Sequence, residues 1–128
     1  MSNQEVAKEW FKVAQEDLSS AEFLRNKEPV PLEIICYHCQ QSAEKMLKGY
    51  LAFQGEAIRK THDLVLLNRI CQSYDASFQN ITNDCLNLTD YGVNVRYPFS
   101  MEIEEADMVA AIQSARQIEN FVLENLGL

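Results

Sequence analysis

"CYHCQQSAEKMLKGYLAFQGEAIRKTHDL", residues 36–64, decides how the rest of the chain is read. Wound at about 100° per residue, its first part separates into two stripes. Cys36, Cys39, Ala43, Leu47 and Tyr50 fall on one side, and His38, Gln41, Lys45 and Lys48 fall nearly opposite. A single helix with an apolar face and a donor-rich face accounts for both. Gly55 ends it, and the second of the chain's two histidines, His62, follows.

The same period runs outward in both directions. From about residue 4 to 26, Val6, Trp10, Val13, Asp17 and Ala21 share a line, with Phe11, Ala14, Leu18 and Leu24 beside it. This predicts a long amphipathic helix. Pro29 and Pro31 interrupt it, since proline lacks the amide donor and crowds the preceding turn, and the second helix is expected from Leu32 to near Gly55. Thr61 is placed to cap a third helix over about 63–73, with Asp63 in its first turn. Over about 76–90, Phe78, Ile81, Cys85 and Leu88 keep helical spacing, but Asn80, Thr82, Asn83 and Asn87 are poor helix formers. "GVNVRYPFS", residues 92–100, reads as a loop, after which Ser100 is expected to cap a last helix running to about Asn125.

That last helix carries two apolar lines, Met108, Ala111, Ala115, Ile118 and Val122 on one, Ile103, Ala106, Ala110 and Phe121 on the other. Small residues on both predict close packing on two sides, inside a bundle or at a dimer interface. No alternating strand pattern or repeat is found. The expected fold is therefore all-α, one domain over residues 1–128, an up-and-down bundle of four to five helices.

Composition narrows the function. With 128 residues, 47% hydrophobic and 23% charged, the chain suits one globular domain with a real core. It shows no export signal and no apolar run long enough for a bilayer, so a cytoplasmic protein is expected, with no membrane partner. Its net charge of −8 argues against coating DNA or RNA through phosphates. Locally the balance reverses: Lys45, Lys48, Arg59 and Lys60 face the single acid Glu56 between residues 45 and 60. Of the four cysteines, the C-x-x-C at 36 and 39 lacks a second pair, since thirteen residues separate Cys71 from Cys85. The cysteines read as small hydrophobes, with no metal and no cofactor called for. Trp10, Phe11, Tyr37, Tyr50, Phe53 and Phe121 read as core or dimer contacts, and no phosphate loop, His-Glu-x-x-His or nucleophile elbow is present.

The candidate ligand residues lie where polar groups gather. His38, Gln41, Lys45 and Lys48, spaced by three, four and three, can converge on one phosphate or base; the plainer reading is a solvated face. His62 serves either to hold its turn or to meet a ligand. Arg96 and Tyr97, before a helix start, can hold an anion or pair with Glu102, Glu104 and Glu105.

Taken together, "EWFKVAQEDLSSAEFL", "CYHCQQSAEKMLKGYLAFQG", "KTHDLVLL", "VRYPF" and "AAIQSARQIENFVLENL" resemble HEPN domains, with Gln40, Gln41, Glu44, Lys45, Lys48 and Thr61-His62-Asp63-Leu64 as the most specific part. The resemblance implies a helical bundle, homodimerisation, association with a nucleotide or RNA, and a small nucleotidyltransferase as partner in a toxin–antitoxin arrangement. Many members are metal-independent ribonucleases whose Arg and His are separated by four to six intervening residues. Here the positions at that distance after Arg96 hold Met101, Glu102 and Ile103, so no catalytic residue carries over. Three functions stay open: a noncatalytic binding module, a ribonuclease built on an atypical set such as His38, His62 and Arg96, and a ligand-free dimeric scaffold.

Overall fold

In a computed structural model, which describes residues 1–92 and 102–128, five α-helices account for most of the chain. They are α1 (Asn3–Leu24), α2 (Leu32–Phe53), α3 (Leu64–Gln72), α4 (Thr82–Leu88) and α5 (Glu105–Asn125). Short 3-10 turns, Ala76–Ile81 and Thr89–Gly92, flank α4. No strand occurs among the described residues, and the all-α expectation holds. None of the described helices is long and apolar enough to cross a membrane.

The 22-residue α2 is the axis of the molecule. Its cysteine stripe, with Met46 and Leu51 added, lies in the core, and α1, α3 and α5 all pack on it. α1 runs antiparallel to it: Gly55 lies by Asn3, Gly49 by Phe11 and Lys45 by Asp17. At Gly49 the approach is so close that a Cβ would stand 2.4 Å from the Phe11 ring. α1 is likewise antiparallel to α5, for Glu22 pairs with Arg116 while Ala7 lies near Leu126. On the far side of α2, Phe78 joins Tyr50 and Phe121, with ring centroids 4.4 and 4.9 Å apart.

Several sequence expectations shift. The buried line of α1 is Ala7, Phe11, Ala14, Leu18 and Ala21, while Val13 is exposed. Small alanines let the helix axes close, and the bulkier neighbouring line turns outward. α3 is capped by Asp63, whose carboxylate accepts from the amides of Val65 and Leu66; Thr61 instead accepts from Asp63's own amide. The segment over 76–90 breaks into a 3-10 turn and the seven-residue α4, as its asparagines weaken the α-helical pattern. α5 begins at Glu105, with Glu104 as N-cap, later than a Ser100 cap requires, because the Asp107 carboxylate accepts from the Glu104 amide at 2.9 Å and sets the start there. Of its two apolar lines, Met108 to Val122 is buried; on the other, Ala106 and Ala110 are exposed and Phe121 is partly buried. Ile103 lies before the helix starts.

Candidate functional site

The donor-rich face of α2 is organised by two carboxylates. Asp17, from α1, reaches across the helix pair to Lys45, whose ammonium donates to Oδ2 at 2.6 Å, and to His38, whose Nδ1 lies 3.2 Å from Oδ1. Three residues that looked like part of two separate patterns thus form one α1–α2 clasp. Its side chains are largely covered, with exposures of 15% for Asp17 and 21% for Lys45.

The second centre is Glu44, 5% exposed. Lys48, one turn further along α2, donates to Oε2 at 2.9 Å. Its ammonium also sits 6.0 Å above the Trp10 ring, where the face of the indole attracts a cation. His62 approaches Oε1 through Nδ1 at 2.9 Å. Gln40, fully buried, donates from Nε2 both to Glu44 Oε1 at 3.2 Å and to the His62 carbonyl at 3.1 Å. Its own oxygen accepts from Gln41 at 2.8 Å.

Electrostatics makes Glu44 an anion in spite of its burial. Desolvation pushes its carboxyl up, but hydrogen bonds from Lys48, His62 and Gln40, with the Lys48 charge, outweigh that and hold it below the usual range. An ionised carboxylate only accepts, so Nδ1 of His62 must be the donor. Among the described residues Nε2, the other ring nitrogen, meets no partner, and the side chain is 60% exposed. A buried acid thereby fixes the tautomer of an accessible imidazole, an arrangement suited to proton transfer or to hydrogen bonding with a ligand.

The sequence-derived candidates therefore divide. Lys48, Gln41 and His62 share the Glu44 network; His38 and Lys45 share Asp17. Lys48, 10% exposed, works chiefly as an internal counter-ion. Arg96 and Tyr97 lie outside the described residues. The residues that hold the site together, Asp17, Gln40 and Glu44, were not among the candidates. Asp17 interrupts an apolar line of α1, and an acid in such a position signals a buried partner; Glu44 stands four residues before Lys48, the spacing of a helical ion pair.

Metal chemistry has no visible foothold among the described residues, where no group of three or more His, Cys, Asp or Glu could hold an ion. Cys36 and Cys39 are fully buried. Burial pushes their thiols up to about 11 and about 12, respectively, which suppresses the thiolate a metal or a disulfide exchange would need.

Comparison with known proteins agrees with this architecture. TT1696 from Thermus thermophilus superposes with a TM-score of 0.79 at 22% identity, over 92% of this chain and 96% of that one. ST0689, an archaeal HEPN homologue, superposes with a TM-score of 0.72 at 25% identity, over 93% and 96%. No curated protein matches. The HEPN domain family matches residues 7–126, a span that runs from the second turn of α1 through α5 and takes in both carboxylate centres, so the chain belongs to the HEPN domain family.

Proposed function

We propose that this chain is a HEPN binding module that takes a nucleotide, free or within an RNA, at the surface formed by His62 and Gln41, and that it acts as a homodimer beside a small nucleotidyltransferase in a toxin–antitoxin pair. The observation that carries the ligand part is the Glu44–His62 pair. A carboxylate costs free energy to bury, and here that cost is met by three donors whose joint effect is to hold one exposed imidazole in a single tautomer. Fixing a side chain in this way reduces the ordering cost of a ligand contact. The homodimer draws support from the exposed line of α5, Ala106, Val109 and Ala110, together with the groove of about 300 Å³ lined by Val6, Glu9, Trp10 and Val13 of α1.

The test of ligand binding is a titration with AMP, ATP and a short single-stranded RNA, followed by His62 ring resonances and by melting temperature. A saturable shift of the His62 resonances, together with a rise in melting temperature that His62→Ala removes, supports the reading. No response to any of the three, with the fold intact, rejects it. Co-expression with a small nucleotidyltransferase and co-purification as a defined complex tests the partner.

A second reading, metal-independent RNA cleavage, is favoured by the same pair, because with Nδ1 on Glu44 the remaining ring nitrogen, Nε2, is the atom that can exchange a proton with a ribose hydroxyl. RNA degradation in EDTA that His62→Ala abolishes would establish it over simple binding.

A further inference from the structure

One short segment meets the two neighbours of His62: Leu64, which follows it, and Gln40, which bonds its carbonyl. Two residues after His62, the Leu64 amide donates to Thr89 Oγ1 at 3.0 Å. On its own carbonyl it receives Gln40 Nε2, and Gln40 is in turn backed by Gly92. A Cβ at residue 92 would stand 2.6 Å from both Cδ and Nε2 of Gln40 and 3.0 Å from its oxygen. Gln40 has nowhere to retreat, since it is fully buried and all its described bonds run to Glu44, His62 and Gln41. Thr89 and Gly92 are the two ends of a single 3-10 turn.

We infer that the Thr89–Gly92 turn, acting through Gln40, is the positioning element of the ligand-facing imidazole, so that the placement of this turn determines where His62 Nε2 points. The inference rests on the reading of His62 as the ligand-facing residue. Gly92 is required because the amide it touches must stay within reach of two acceptors at once, the Glu44 carboxylate and the His62 carbonyl. A methyl group there displaces the amide, and both bonds loosen together. Gln40 and Gly92 are positioning residues: neither has to touch the ligand.

The experiment reads His62 and His38 ring resonances in the intact chain, with His38 on Asp17 as the internal reference. In Gly92→Ala the His62 signals should move and those of His38 stay. In a Gln40→Ala background, which removes the atoms a new Cβ would strike, Gly92→Ala should add no further shift, the non-additivity expected of two residues in contact. Loose packing alone would lower the melting temperature without moving His62. A folded Gly92→Ala protein with unmoved His62 signals, or a full shift that survives the loss of Gln40, overturns the inference. Should Gly92→Ala fail to fold, Thr89→Val tests the other grip, and unmoved His62 signals there overturn it equally. AMP binding is read separately: where AMP binds but His62 ignores the turn, the coupling fails alone. If His62 follows the turn but no nucleotide binds, the positional coupling stands and the binding reading falls.

Discussion

Glu44 concentrates the electrostatics of this protein in one residue. Removing its strongest partner by Lys48→Met leaves a nearly buried carboxylate without a cation. The loss should be about 3 kcal/mol at pH 7, measured by urea unfolding. Its pH dependence has a definite sign. The folded carboxyl is held below its unfolded value, so its contribution is complete above about pH 4.3 and is lost as pH falls through the folded value. The gap between parent and Lys48→Met should therefore narrow on the acid side; a gap constant from pH 7 to pH 3 would show that packing against Trp10, and not charge, is what Lys48 supplies. The two lysines and His38 were legible in the sequence as residue types on a helix face, and His62 as an imidazole in the connection that follows it. What they do was not, because the face pattern of α2 says nothing about the acid that α1 brings opposite it at Asp17.

At the scale of the elements, the α1–α2 contact is set by the smallest residue in it. Gly49→Ala should destabilise by about 1–3 kcal/mol, because the added carbon meets a buried Phe11 ring that cannot swing clear. Phe11→Leu in the same chain should recover part of that loss, which thermal denaturation of the two variants would reveal. The start of α5 rests on Asp107. Asp107→Ala, removing the acceptor for the Glu104 amide, should cost about 1 kcal/mol, with amide exchange speeding up in the first turn and not at Ile118. Long helices showed themselves in the sequence through many turns of consistent spacing. Their ends did not, since a cap is one hydrogen bond, and Thr61 and Ser100 were as well suited by type as Asp63 and Glu104. The stretch after α3 was ambiguous for a related reason: few apolar positions, interleaved with asparagine, allow a 3-10 or an α conformation, and contacts with Tyr50 and Asn68 select between them.

For the molecule as a whole, all four cysteines are fully buried and free. Burial raises their thiols, to about 11 for Cys36 and about 12 for Cys39 and Cys85. A thiol reagent should therefore modify the native chain roughly a thousandfold or more slowly than the unfolded one, and all four should react together as cooperative unfolding exposes them. Early modification of one cysteine under native conditions would locate a part of the core that opens independently. The sequence by itself determined the all-helical class, the number of long helices and the apolar stripe of α2, because hydrophobic periodicity is a local property that repeats over many turns. Only the tertiary structure decided that Asp17 and Glu44 partition the polar face into two clasps, and that His62 is bonded by Gln40 and Glu44 of α2 while Thr89 takes the Leu64 amide beside it. Such pairings depend on which surfaces the chain brings into contact, and burial then forces every charged group there to find a partner.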